Sequence, residues 1–498
     1  MHGTVLVPRP TFFSRYWPRP DTPASGAAIV AAVAVAVTAG AALTVSRPGL
    51  GWLLLGLVAA AGTTFVLRAE GVRLSRRRIV WGLAALALLG VGTIRSAGWL
   101  FALCVPVALA CGGLALGGGR TTRGLFAGAA AVPFATMRSL FWWLEGVDRL
   151  RKRNEGGRPV RLLAAVGVGI ALLVVFGALF ASADPSFARI LGQVMPSVEG
   201  AGFLGAVARV VIFGWGAIGA VYLATRPPTF DRVAEGGGTP VRRLEWLVPI
   251  VLLDLLFAAF VAVQFRNWFG GDEYVRETAG LTYAEYARGG FWQLTVVTVL
   301  TLGVLAVAAR KAPRCDGGDR AAMRTGLGLL AGLALVVVAS ALARMAAYED
   351  AYGLTRLRLL VAACEVWFGL IFLLVLANGV RLRPLGRRKG GWLQATAFGT
   401  GVALLLVLSV LNPDRMIADR NIDRFQATGK IDATYLETLS PDAAPAIDRL
   451  PEPMRTCALR EIVRQLRADG DTWSEYNRSR RAALALPLNP RAVCSNYH

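Results

Sequence analysis

The chain has 498 residues, of which 55% are hydrophobic and 17% charged, and its 54 Lys and Arg against 32 Asp and Glu leave a net charge of +22. So apolar a composition excludes an ordinary water-soluble core and predicts an integral membrane protein. The basic balance does not predict nucleic-acid binding, because the Lys and Arg residues are spread over many loops and build no single reading face.

Residues 1–25, rich in Pro, Arg and aromatic side chains, read as a cytoplasmic tail without the layout of a cleavable signal. Crossing a ~30 Å hydrocarbon layer takes roughly 20 apolar residues. Runs near 26–45, 49–67, 79–94 and 97–116 meet or approach that length and predict four transmembrane helices over 26–116. Residues 117–159 read as a cytoplasmic segment. Within it, "GLFAGAAAVPFATM", Gly124 to Met137, is too short to span, contains Pro133, and reads as a re-entrant or interfacial piece. The stretch from Arg138 to Arg153 then places Leu140, Trp143, Leu144, Val147 and Leu150 at helical spacing, which predicts an amphipathic surface helix.

Further apolar runs lie near 160–181, 203–224, 244–264, 291–309, 322–343, 357–380 and 392–411. They predict a seven-helix core over 160–411 and bring the total to about eleven spans. The basic stretches "RAEGVRLSRRR", "RLRKRNEGGRPVR" and "RLRPLGRRKGG" fall on one side of this arrangement. Basic loops are retained in the cytoplasm, so the N-terminus is expected inside and the C-terminus outside, in the cell (inner, cytoplasmic) membrane, with anionic lipid headgroups as partners of the basic loops.

Residues 412–498 change character, mixing both charge signs with no run long enough to span. They predict a small helical extracytoplasmic lobe. Asn412 reads as an N-cap, Pro413 as the first helical residue and Gly429 as a helix stop, with Ser440 and Asp471 as further caps. The lobe's two cysteines, Cys457 and Cys494, are candidates for a disulfide in an oxidising compartment. Closing a loop of roughly 40 residues would add about 4 kcal/mol on the chain-entropy account.

Two polar groupings stand out. The outer connection in "AAYEDAYGLTRLRLL" gathers Tyr348, Glu349, Asp350 and Tyr352 with Arg344, Arg356 and Arg358, which reads either as a charge-compensated turn at headgroup depth or as a ligand-facing corner. Inside the spans, Arg209, Asp254 and Glu365 are ionisable groups in hydrocarbon, where function is the default hypothesis. Counting residues from the span ends puts the three within roughly 6 Å of one depth and predicts that they converge, Arg209 nearest Glu365.

Four blocks, "FASADPSFARIL", "LTYAEYARGGFWQL", "AYEDAYGLTRLRLL" and "LNPDRMIADRNIDRF…GKIDATYLETLSPDAAPAI", resemble a bacterial family of polytopic membrane proteins known only as a domain of unknown function, over roughly residues 160 to 450. The resemblance implies a multi-span core with an outward C-terminal segment, and it carries no catalytic residues.

Catalytic signals are absent. The histidines are His2 and His498, one near each end, which argues against a histidine-built zinc site or a Ser-His or Cys-His mechanism within the bundle. "GGLALGGGRTT" lacks the Gly-Lys-Ser/Thr ending of a phosphate loop, and Cys104, Cys111 and Cys364 read as small apolar packing groups. No catalytic residue, metal or cofactor is expected. A lipid-linked glycosyltransferase would want a carboxylate in the first outer loop, and neither "SRPG" nor "RSA" supplies one. The sequence therefore favours an all-α polytopic bundle that transports or channels a small solute or ion. A non-enzymatic envelope sensor or scaffold acting through the lobe and basic loops is the alternative, with its protein partner open.

Overall fold

A computed structural model describes residues 17, 22–153, 180, 184, 200–229, 231, 242–279, 283–312, 316–380, 392–469, 472–492 and 494. All regular elements among them are helical. They are α1 (Gly26–Ala42), α2 (Leu50–Ala69), α3 (Arg76–Ile94), α4 (Gly98–Gly117), α5 (Thr122–Ala129), α6 (Ala131–Arg153), α7 (Gly200–Thr225), α8 (Arg243–Ala279), α9 (Tyr283–Lys311), α10 (Gly317–Tyr352), α11 (Arg356–Val380), α12 (Trp392–Leu411), α13 (Pro413–Thr428), α14 (Ala433–Glu437), α15 (Ala444–Ile447), α16 (Met454–Asp469) and α17 (Arg478–Leu484).

Nine of the described helices are long and apolar enough to cross a membrane, or ten if a bent pair counts as one span. The expected span near 160–181 lies outside the described residues, and α1, at 17 residues, is shorter than the nine. The bent pair is α5 and α6, which meet at 63° across Ala130. Pro133 falls in the first turn of α6 and has no N–H to return to the carbonyl of Ala129, the last residue of α5, so a continuous helix cannot run through this point.

The chain forms two units, Met1–Val233 with Asp469–Ser479, and Ala234–Ala468 with Arg480–His498. In the first, α1 packs on α2 and α7, α3 on α4, and α6 on α7. Its centre is aromatic and reaches into the N-terminal tail. Trp17 is buried, donates its indole N–H to the Arg226 carbonyl at 2.9 Å, and lies 5.9 Å from the Tyr222 ring, itself 5.5 Å from Trp142. Asp231 holds the turn that leads into α5, whose N-cap is Thr121, accepting from the N–H groups of Arg120 and Thr121 at 2.8 and 2.9 Å. Burial pushes its carboxyl up, but those donors together outweigh burial and hold it below the ordinary value.

The helix α6 packs on the protein through one face and leaves the long apolar residues of the expected amphipathic stripe on its outside. Val132, Ala135, Ser139 and Trp142 are buried, whereas Leu140 and Leu144 are 41% and 54% exposed. The long apolar side chains turn outward because hydrocarbon solvates them as well as protein does, leaving small residues to make the close helix contacts. Gly146 illustrates this: a Cβ there would meet the Ala24 backbone within 3 Å.

In the second unit α10 is central, touching α8, α9 and α11, while α12 lies against α11. At 36 residues α10 is roughly 54 Å long, well beyond the hydrocarbon thickness. The expected outer loop holding Tyr348 to Tyr352 is therefore the last turn of this helix. "ARMAAYEDAY" contains no breaker, and the helix stops only at Gly353, which takes φ +81° and returns its N–H to Glu349 at 2.7 Å.

Candidate functional site

Down one face of α8, Trp246, Ile250, Asp254, Phe257, Val261 and Gln264 are all buried. Their three- and four-residue spacing is a helix stripe turned into a core built from α8 to α11. Leu252, Leu255 and Leu256 on the opposite face are exposed. Thus Asp254, at 5% exposure, points away from the lipid-facing side, and its Oδ1 has no hydrogen-bond partner. Glu365 on α11 is deeper still: its exposure is 0%, and neither carboxylate oxygen is hydrogen-bonded. The neighbouring Thr295 hydroxyl of α9 interacts with it, yet donates to the Phe291 carbonyl at 3.4 Å.

Toward the α10–α11 junction lies a third buried polar group. Gln264 Oε1 accepts from Ser340 Oγ at 3.0 Å and from Arg344 Nη2 at 2.9 Å. Arg344, expected in an outer loop, is thus a buried residue of α10.

Contacts between helices set the depth of each residue. Gln264 against Ser340 and Arg344, with Gly326 against Ile250 and Leu247, places Asp254 level with about residue 331 of α10. Gly369 against Val338 and Leu335, with Gly328 against Leu376, places Glu365 level with about residue 340. The two carboxylates are therefore separated by about nine residues of rise, or about 13 Å of depth. The ~6 Å counted from span ends is corrected accordingly: α8 and α10 run past the apolar segments, so those ends were poor rulers. Arg209 belongs to the first unit, on α7, where it is half-buried with a buried Nε that has no hydrogen-bond partner.

The cluster around Tyr348 has a definite structural role. Arg358 lies over the Tyr348 ring at 4.0 Å and donates to the Gly353 carbonyl, and Tyr348 and Tyr352 have ring centroids 5.0 Å apart. Arg356 does not pair with Glu349 or Asp350. It grips Asp414 of α13 in a fork at 2.9 and 2.6 Å, and its N–H donates to the Tyr435 hydroxyl. Arg424 of α13 donates to the Asp350 and Ala351 carbonyls at 3.2 and 2.6 Å, and Asn421 bonds both backbone groups of Leu354. The lobe's first helix therefore satisfies the free carbonyls at the end of α10 and clasps the start of α11. Asp414 is fully buried. Burial alone would raise its carboxyl, but the Arg356 guanidinium and Ser440 hold it below the ordinary value.

Asn412 and Gly429 bound α13 as N-cap and C-terminal stop, at φ 59° and 71°. Asp471 lies outside the described residues, and the cap of the short turn Trp473–Glu475 is Thr472, in a capping box with Glu475. Ser440 precedes Pro441–Ala443 without a side-chain cap bond, its hydroxyl donating to Asp442 instead. Cys457 and Cys494 are joined by a disulfide. Asp469–Ser479 belongs to the first unit, where buried Asn477 donates to the Gly92 and Arg95 carbonyls, both at 2.8 Å, closing the end of α3.

Among the residues missed by sequence reasoning, Gln264, Thr298, Thr301, Ser340 and Asn477 are neutral and all buried. A hydropathy count barely registers a threonine. The ten-position interval from Asp254 to Gln264, close to three helix turns, was the readable signal. No group of three or more His, Cys, Asp or Glu able to hold a metal occurs among the described residues.

No curated protein and no solved structure matches the chain. Residues 83–450 match the family described as "Domain of unknown function (DUF4153)", which takes in α4 and most of α3 as well as the stretch from 160. The match covers well over half of the chain, and the protein belongs to that family.

Proposed function

We propose that this is a multi-pass protein of the cell membrane that moves a small ion or solute, with Glu365 as the group whose charge changes during transport. The observation that carries the reading is a carboxylate of 0% exposure, set in an apolar helix core with both oxygens unbonded. An ionised group at mid-membrane costs ~2.5–3.5 kcal/mol even on translocon scales, and packing alone gives no reason to bear that cost. The basic loops support a cytoplasmic N-terminus and an external lobe. The test is ion and solute flux in proteoliposomes. Flux in the wild type that Glu365→Gln abolishes without lowering the melting temperature supports the reading. Equal flux in both proteins, or none in the wild type, contradicts it.

The clasp of α13 on the α10–α11 junction supports a second reading, an envelope scaffold presenting a fixed lobe. A wild type without flux whose lobe binds one stable partner in the purified complex would favour it.

A further inference from the structure

We propose that a proton path runs inside the second unit from Glu365 to Asp254, with Thr298 and Thr301 of α9 positioning the water molecules between them. The proposal rests on the transport reading of Glu365 and names the proton as the species moved.

Depth and burial carry the argument. Thr295 of α9 stands beside Glu365, and α9 descends from there, so Thr298 and Thr301 fall about one and two turns further down. Asp254 follows about one turn below Thr301, by the register of α8 on α10 and the place of Thr295 beside Glu365. The four side chains are 0%, 1%, 3% and 5% exposed for Glu365, Thr298, Thr301 and Asp254. All sit in the one core that α8 to α11 build. Successive levels are about 5 Å apart in depth, so the chain of waters descends about one helix turn at each step. Both threonine hydroxyls give their protons to their own helix, Thr298 to the Leu294 carbonyl at 2.9 Å and Thr301 to Val297 at 2.7 Å. Each oxygen is left as an acceptor, able to hold a water in line without entering the relay. Below Asp254 on the same stripe, the buried Trp246 Nε1 also has no partner, a further donor about two turns on.

The same geometry disfavours a metal cation. A desolvated cation such as calcium takes about six or more oxygens, and each level here offers one or two. Helices α8 to α11 are continuous through these levels, so no backbone carbonyl is released to complete a shell. The charged group facing the Glu365 level from α10 is Arg344, about one turn toward the junction and bonded to Gln264. At the Asp254 level, α9, α10 and α11 carry no charged residue. In each transfer the proton leaves a carboxyl oxygen of Glu365, passes along the waters and is taken up by the Asp254 carboxylate. Glu365 is then ionised and is reprotonated from the junction end, and Asp254 gives up its proton toward the opposite end of the path before the next transfer.

Hydrogen–deuterium exchange of the two carboxyls, followed by time-resolved infrared spectroscopy on the full chain in lipid, tests the path apart from transport. The bands are assigned with Glu365→Gln and Asp254→Asn. In Thr298→Val/Thr301→Val, deuteration of Asp254 should slow markedly while Glu365 exchanges as in the wild type, and Thr298→Ser/Thr301→Ser should restore the wild-type rate. Slowed exchange in a protein without flux keeps the path and removes the transport reading. Wild-type exchange in the double valine variant overturns the path, whatever the flux. So does the absence of a protonated band from either carboxyl between about pH 5 and 9, because a group that stays ionised carries no proton.

Discussion

The two units are made of similar helices and differ in what those helices enclose. Among the described residues of the first, the membrane-helix interior holds aromatic and small side chains, with Thr63 and Ser139 as its buried polar groups, each returning its proton to its own helix. The second encloses Asp254, Gln264, Thr298, Thr301, Ser340, Arg344 and Glu365. Packing needs only the first kind of interior. Where hydrocarbon already solvates apolar groups, buried carboxylates add cost without improving the fit, and the proposed role of the second unit rests on that contrast. The units also share a device, since the C-terminal region caps a membrane helix in each, through Asn477 on α3 and through Asn421 and Arg424 on α10.

The strongest way to break the comparison is to cut the clasp of the second unit. Asp414→Ala removes the buried partner of a forked ion pair whose Arg356 is 30% exposed and should cost up to about 3–5 kcal/mol, read as a lower melting temperature and faster proteolysis of the lobe. Its pH dependence follows from the sign of the shift. The folded carboxyl titrates below its ordinary value, so its contribution is complete above about pH 4 and is lost as pH falls through the lower folded value. Acid unfolding of the lobe should therefore begin below about pH 4, and Asp414→Asn should remove that step.

Removing the disulfide with Cys457→Ser should cost about 2–4 kcal/mol, measured by melting of the lobe with and without reductant. A wild type whose melting ignores reductant would contradict this. Asn477→Ala, the matching cut in the first unit, strands two carbonyls and should cost about 1–3 kcal/mol without altering flux. Gly353→Ala places a Cβ 2.3 Å from the Asn421 Oδ1 and forces alanine to φ +81°, for about 1–2 kcal/mol. Smallest of all, Thr63→Val in the first unit should change stability by less than about 0.5–1 kcal/mol and leave flux intact. The same change at Thr298 should impair it.

Sequence reading recovered the helical membrane architecture and Asp254 and Glu365 as buried groups, because spans and stranded charges both leave strong marks on hydropathy. Depth was not readable. Hydropathy marks where a segment becomes apolar, whereas α10 runs on through "ARMAAYEDAY" until Gly353 stops it, so depths counted from apolar ends misplaced Glu365 relative to Asp254. The face by which α6 packs on protein was not readable either, because amphipathicity reports which side meets water, and Leu140 and Leu144 need no shelter from lipid. Arg356 was matched to its sequence neighbours Glu349 and Asp350, while its partner, Asp414, comes from a different helix.

The central claim is that Glu365 is an exchangeable proton site in the second unit's interior. A hydrophobic carbodiimide reaches protonated carboxyls from within the membrane, so the direct measurement is labelling of the full chain in lipid, mapped by mass spectrometry and compared with flux before and after. The account predicts covalent modification at Glu365, faster at lower pH, with flux lost in proportion to that label. Full loss of flux with Glu365 unmodified, or full modification of Glu365 with flux unchanged, would contradict it.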